Sequence, residues 1–503
     1  MKNFLLSFAL FISCLSFGQK VVKDRSITED ILLDSSSFYY LDTNAYPIGN
    51  KSLPIGVFDS GIGGLTVLDA IVNFDRFKNV DLQSGADGII DFKNEIFIYL
   101  ADQANMPYGN YSAENKEDLL KEHIIKDVQF LLGRKYYPVG GAANYETDKS
   151  PVKALVIACN TATAYGKETI EEFLKEANLD IKVIGVIDAG VRGALEILQM
   201  NEHATIGVMA TVGTVDSKGY VNTIHTLKDK MGFTGKIHVF QQGGIGIAEA
   251  VDEDADYYDK NLKSPRNSYK GPSLEGETKI EKTLLDIYNF DFDGNKMLCD
   301  TQNPNDCNSL QINDAENYVR FHLVSLMEKI KEANTGVPLK SIILGCTHYP
   351  YLVAEINEVL EELYNYKGTD GEYRYREHMA AEITLIDPAV NTARELFEYL
   401  KDSSLLNESG NINDSEFYIS VANTSNPAVI VNENGNFPYE YKYGRKAGEI
   451  QEYVKVVPFS RSNISEDILS RLKVQLPFTY ELIGEFNQTN RKTTILMENE
   501  KIN

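Results

Sequence analysis

Six short runs along this chain are apolar at nearly every position instead of alternating. They are "EIFIYLAD" (95–102), "ALVIAC" (154–159), "KVIGVID" (182–188), "TIGVMAT" (205–211), "SIILGC" (341–346) and "ITLID" (383–387). Continuous apolar runs of this length suit strands buried on both faces of a parallel sheet. Amphipathic stretches such as "GKETIEEFLKEANL" and "AENYVRFHLVSLMEKIKEANTG" lie between them. Strand alternating with helix predicts an α/β fold. The pattern also repeats: "IGVFDSGIGGLTVL" (55–68) is echoed by "IGVMATVGTVDSKGY" (206–220), with Asp59 and Thr211 in corresponding places. The expectation is two pseudo-symmetric α/β domains with mostly parallel sheets facing a central cleft. The first is expected to take residues 53–182 with 350–400, and the second 183–349 with an insertion at 253–315. A small β-containing appendage is expected over 401–503, where runs such as "EFYISVAN" and "EYVKVVPF" alternate. Residues 134–150, rich in Gly, Tyr and Asn, are expected to form a loop.

The first twenty residues follow a different rule. Lys2 precedes an apolar stretch, Phe4 to Leu15, too short to span a bilayer, and small residues at 16 and 18 follow. This predicts a cleaved export signal over residues 1–18 and a periplasmic protein, with a lipoprotein signal at Cys14 as the rival. No later stretch predicts a membrane span. Hydrophobic residues make up 43% of the chain and charged residues 24%, which suits globular domains. The net charge of −24 opposes binding to nucleic acid or to anionic lipid.

Two cysteines stand out because their settings match: "ALVIACNTATAYG" presents Cys159 and "SIILGCTHYPYL" presents Cys346, each at the end of an apolar run. A lone cysteine there is ordinarily a small hydrophobe. Two in matched halves, each at a strand-to-helix turn where helix amides favour the thiolate, point to paired chemistry. His348 follows Cys346 closely, and Asp59 ends the first strand of the other half. Inverting a stereocentre by proton transfer needs one acid/base group on each face of the substrate, which two facing halves supply. The glycine-rich turn after Asp59 and Ser60 offers backbone N–H groups to a carboxylate. Pro107, Tyr108 and Gly109, the pair Asn160 and Thr161, and the pair Thr347 and His348 are further candidates for the substrate wall. No cofactor and no metal are expected, since there is no Walker motif, no GxGxxG and no CxxC spacing. Cys299 and Cys307, close in sequence, are expected to pair as a disulfide in an oxidising compartment. Residues 289–300 place Asn289, Asp291, Asp293, Gly294 and Asp300 at calcium-loop spacing, but Asp300 stands where a Glu is usual and Lys296 where an apolar residue is usual. A polar turn is the expected reading there.

The stretches "GVFDSGIGGLTVL", "PYG", "ACNTATA", "GVMATVGTVDSKGY", "LGCTHYPYL" and "LIDPA", in this order over roughly residues 53–400, resemble glutamate racemase of the aspartate/glutamate racemase superfamily. Cys-Thr-His at the second cysteine is similar to the glutamate enzymes, whereas aspartate racemases usually carry Cys-Thr-Glu. The resemblance implies a cofactor-independent racemase acting on a small acidic amino acid between two α/β domains. It implies Cys159 as base toward the D-enantiomer, assisted by Asp59, and Cys346 as base toward the L-enantiomer, assisted by His348. Glu249, in "GIAEAVDE", is a loose match to a family glutamate near the second cysteine. The chain departs from the family at Asp188-Ala189-Gly190, where Glu-Pro-Gly is usual, and in "QQGGIGIAEA", which lacks a Cys-Pro. The 253–315 insertion and the 401–503 tail have no family counterpart, and an export signal is at odds with a cytoplasmic supply of cell-wall precursors. Two other readings stay open: a superfamily racemase or isomerase for aspartate or another amino or dicarboxylic acid, and an inactive exported binder of an acidic ligand. A homodimer is the oligomer to test.

Overall fold

The computed structural model describes residues 26–276, 278–301 and 306–503. The export segment read from residues 1–18 lies outside them. Twelve strands are present among the described residues: β1 Ile55–Asp59, β2 Phe97–Ala101, β3 Ala154–Ile157, β4 Lys182–Gly185, β5 Ala204–Ala210, β6 Ile237–Gly243, β7 Met297–Cys299, β8 Leu310–Ile312, β9 Leu339–Gly345, β10 Met379–Ile386, β11 Glu416–Ala422 and β12 Val454–Pro458. They form a six-stranded sheet in the order β12-β11-β2-β1-β3-β4, a four-stranded sheet in the order β10-β9-β5-β6, and the small hairpin β7-β8. All neighbours in the two large sheets are parallel except β11 and β12. The molecule is thus an α/β protein with two mostly parallel sheets.

Burial follows the sequence pattern. Every residue of β1, β2, β3 and β5 is buried, as continuous apolar runs require. β6 has no such run. It is an edge strand with its middle half-exposed, and its "IHVFQQG" carries polar residues that masked it. The run at 182–188 divides: β4 stops at Gly185, and Val186 and Ile187 open the buried face of the helix Val186–Glu196.

Three expectations about organisation change. Residues 350–400 do not complete the first sheet. Ile386 of β10 pairs with Ile343 of β9, so residues 379–386 close the edge of the second sheet, whereas the helix Pro388–Asp402 packs beside Leu65–Val72 and buries Leu396 and Phe397 in the core of the first lobe, as expected. β4, placed at the boundary, pairs with β3 and belongs to the first sheet. The 401–503 tail is no separate appendage. Its buried "EFYIS" forms β11, which lies parallel to β2 with Tyr418 opposite Leu100, and β12 then covers β11. An edge that would otherwise be open is extended by two strands. The helices Glu466–Gln475 and Pro477–Thr489 follow, and the second packs beside Leu65–Val72 of the first lobe.

The insertion is held by the β7-β8 hairpin and by a disulfide between Cys299 and Cys307. Its acidic positions are occupied: Asp291 pairs with Lys296 at 2.7 Å, and Asp300 accepts from the N–H groups of Asn308 and Ser309. Residues 289–296 are therefore a polar turn with its own internal cation, leading into β7. No helix among the described residues is long and apolar enough to cross a membrane.

Candidate active site

The carboxyl ends of β1 and β3 build one wall. β1 ends at Asp59, whose buried Oδ2 accepts from the N–H groups of Gly61 (3.1 Å) and Gly64 (3.0 Å). The turn is so close that a Cβ on Gly64 would lie 2.5 Å from the Asp59 Cβ, so glycine is required there. Burial pushes the Asp59 carboxyl up, and the Gly64 and Gly61 amides and the Cys159 thiol work against it. Cys159 is the N-cap of the helix Asn160–Glu176. Its Sγ accepts from Ala162 N–H at 3.4 Å and lies 3.7 Å from Ser60 Oγ. The helix terminus does not lower this thiol: burial, and then the charge of Asp59, push it up to about 12.

The end of β9 carries the second of the matched cysteines. Cys346 is buried, and its Sγ lies 3.7 Å from His348 Nδ1. The other ring nitrogen, Nε2, is 3.2 Å from Asp252 Oδ2. Burial opposes protonation of His348, but the bonds to Asp252 and Cys346 outweigh it and raise the imidazole to about 10. His348 is therefore cationic near neutral pH. Asp252 is drawn down, since its pairing with His348, and then with Arg471, exceeds the cost of its burial.

The two walls meet through the residue after the first cysteine. Asn160 Nδ2 donates to the carbonyl of Gly345, the residue before the second cysteine, at 3.2 Å. Asn160 Oδ1 accepts from the Tyr220 hydroxyl at 3.1 Å. One amide side chain thus spans the two strand ends that carry the thiols. A cavity of about 170 Å³ adjoins this junction, with Asn160, Gly345, Cys346 and Thr347 in its lining. Thr161 and Thr347 are half-buried beside the cysteines they follow.

The Pro107–Gly109 loop differs from expectation. Pro107 is exposed and Gly109 half-buried, but the Tyr108 side chain turns inward. Its hydroxyl sits 2.6 Å from Asp102 Oδ2 and 2.7 Å from Asp127 Oδ2, so it is tied to two buried carboxyls and is no wall of a cleft. Met106 covers the turn after Asp59: a Cβ on Gly61 would lie 2.6 Å from its Sδ.

Glu249 does not reach His348. It caps its own helix, Ile247–Val251, by accepting from Gly246 N–H at 2.9 Å. The acid at His348 is Asp252, three residues on. The sequence held this signal in the spacing of "EAVD", because residues three apart share a helix face. Thr211 is an N-cap that receives Thr214 N–H, which gives the second half no counterpart of the Asp59 carboxylate. Tyr220 and Arg471 were also missed; nothing local to either marks it as belonging here.

No protein-family model matches the chain. It is 34% identical over 312 residues to a glutamate racemase of Aquifex pyrophilus, a match covering 62% of this chain and 77% of that protein. It is 26% identical over 364 residues to a glutamate racemase of Oceanobacillus iheyensis, covering 72% and 85%. Among solved structures, a glutamate racemase isoform from Bacillus anthracis matches 73% of this chain and 88% of its own at 24% identity and a TM-score of 0.40. The glutamate racemase of Francisella tularensis, solved with D-glutamate, matches 79% and 95% at 21% identity and a TM-score of 0.39.

Proposed function

This chain belongs to the glutamate racemase family, a family of isomerases, and we propose that it interconverts L- and D-glutamate by proton transfer between Cys159 and Cys346. The observation that carries this reading is the Asn160–Gly345 hydrogen bond, which sets the two cysteine-bearing strand ends side by side. Two acid/base groups on opposite faces of an α-carbon are what inversion needs.

The surroundings of the two thiols differ. Cys159, pushed up to about 12, holds its proton and is the acid. Cys346 lies 3.7 Å from the Nδ1 of His348, the group placed to exchange a proton with it, and is assigned as the base. Starting from L-glutamate, Cys346 Sγ takes the α-proton and Cys159 returns a proton on the other face. Cys159 is then left as a thiolate, received by the Ser60 hydroxyl and the Ala162 N–H. D-glutamate reverses the sequence. The N–H groups of Ile62 and Gly63, between the two that Asp59 takes, with Asn160, Thr161 and Thr347, are the groups proposed to hold the substrate carboxylates. Location outside the cytoplasm is part of the proposal, supported by the Lys2-to-Gly18 pattern and by the local disulfide, a bond that persists in oxidising compartments.

The test is incubation of the purified protein with L-glutamate in D₂O, followed by NMR and polarimetry. Exchange of the α-hydrogen together with loss of optical rotation is expected. Exchange with aspartate but not glutamate would move the assignment to another acidic substrate. Neither exchange nor inversion with any acidic amino acid would leave a binding protein.

A further inference from the structure

The residue behind Asp252 comes from the tail that no racemase motif covers. Arg471 lies on the helix Glu466–Gln475, which is anchored to the body by buried Leu469 and Leu472. Its Nη1 lies 2.9 Å from Asp252 Oδ1 and donates to the Asp252 carbonyl at 3.2 Å. The other oxygen of the same carboxylate holds His348 Nε2. One carboxylate therefore serves two cations, one oxygen each. Gln475, one helical turn beyond Arg471, lines the cavity that Cys346 adjoins, so this face of the helix is turned toward the second wall.

The same tail grips the opposite wall. Lys442 Nζ donates to the Met106 carbonyl, the Tyr443 hydroxyl donates to the Pro107 carbonyl at 3.3 Å, and Arg445 Nη2 donates to Asn105 Oδ1 at 2.8 Å. These contacts fix the loop that covers the turn after Asp59. The tail is thus fastened to segments beside both cysteines.

We propose that Arg471 is a positioning residue for the second acid/base group: it holds Asp252 in the rotamer that orients His348 toward Cys346, and so makes the 401–503 tail a working part of the racemase site. The inference rests on the two-thiol reading given above. Asp252 is about one-third exposed. Without Arg471 its carboxylate is free to turn into water, and His348 loses the partner that keeps it charged and aligned. The titratable or charged groups around His348 are Cys346 on its own strand end and Asp252 across from it, with Arg471 and Tyr351 reaching Asp252. The thiol on the other wall, Cys159, has none of these groups among its neighbours.

The experiment compares the full chain with Arg471→Ala and Arg471→Lys. Each thiol's alkylation by iodoacetamide is followed by mass spectrometry between pH 6 and 9, and kcat and KM are measured with each enantiomer. For a partly exposed charge contact, Arg471→Ala is expected to slow Cys346 alkylation near neutral pH by about two- to five-fold and to lower kcat similarly, with KM little changed. Cys159 alkylation should not change, and Arg471→Lys should recover most of the loss. Unchanged Cys346 labelling, or equal changes at both thiols, would overturn the proposal; the second would mark a general loosening of the fold. Melting curves of both variants check that folding is intact, and the lysine variant keeps the test decisive should the alanine variant unfold. Cys346→Ala in the same kinetic assay tests the two-thiol reading itself. Racemisation that survives there would reject that reading, whereas the labelling result judges Arg471 with or without turnover.

Discussion

At the scale of single residues, Cys159→Ala is the plainest test of two-sided proton transfer. Each direction needs a group on both faces, so removing one should lower racemisation from either enantiomer by about 10²–10⁴-fold. Hydrogen exchange at Cα through the remaining thiol should persist for one enantiomer; full activity in the variant would refute the mechanism. Tyr108 gives a second prediction. Its single hydroxyl proton cannot serve both Asp102 and Asp127, and Asp102 already accepts from Asn105 and Ser420. Burial, and then the charge of Asp102, push Asp127 well above the carboxylate range, which favours its protonated form; the protonated carboxyl would then be the donor in its 2.7 Å contact with the Tyr108 hydroxyl, leaving the hydroxyl proton to Asp102. A carboxyl raised on folding contributes fully below its unfolded value of about 4, and this contribution is lost as pH rises from there toward the folded value. Asn in place of Asp127 donates in the same way and does not titrate. The melting temperature of Asp127→Asn should therefore gain on the wild type steadily from pH 4 to pH 8; parallel curves would show that Asp127 is ionised in the fold. The sequence marked Tyr108 through its motif but not its direction, because the carboxyls that turn it inward come from Asp102 and from Asp127, on a helix nineteen residues away.

At the scale of elements, what was legible followed continuous apolar runs, and what was missed lacked them. β1, β2, β3, β5 and β9 announce themselves because both faces are covered. β6 is an edge strand with a broken run, and β10, legible through "ITLID" at 383–387, is an edge strand buried only at its two ends, so the burial on both faces expected there does not hold. β11 was visible as a strand, but nothing local says that its partner is β2, more than 300 residues earlier. A buried ion pair helps to fix that arrangement. Lys153 Nζ meets Glu95 Oε2 at 2.6 Å with both side chains almost fully enclosed, and it also donates to the carbonyls of Lys51 and Leu405. Glu95 accepts from Asn407 N–H at 2.7 Å. The start of β2, the start of β3 and the beginning of the tail are thereby stapled together. Lys153→Met should destabilise by about 3–5 kcal/mol, because it strands a buried carboxylate without its counter-charge. Adding Glu95→Gln should recover part of this, since the amide oxygen still serves Asn407. Urea melts of the two variants decide it, and equal losses in both would deny the pairing any role. Ending the chain after residue 402 should expose the outer edge of β2 and yield aggregate, a result that size-exclusion chromatography would read directly.

At the scale of the whole molecule, the two lobes share one function only if their strand ends stay in register, and few polar side chains hold them there. The apolar cores do not mark a clean division: one face of the second sheet, with Ile206, Val208 and Ile343, joins the core of the first lobe, while Met209, Ile342 and Leu344 pack into a separate core under the helix Ala315–Ala333. Relative motion of the lobes is therefore constrained by packing on one side and by the Asn160 junction at the cleft. Asn160→Asp isolates the second constraint. The Asp carboxylate still accepts from Tyr220, but it cannot donate to the Gly345 carbonyl and repels it instead. The two thiol-bearing ends should then separate slightly. Catalytic geometry is sensitive at that scale, since misplacement by about 1 Å can cost about a hundred-fold in rate. A drop of that order in kcat/KM is expected for both enantiomers equally, because catalysis cannot shift the equilibrium between them. The melting temperature should fall by only a few degrees, as expected for loss of about 1 kcal/mol in a chain of this size. A variant with wild-type kcat/KM would show that the junction does not set the distance between the walls, and the case for one shared site at the two strand ends would lose its main support.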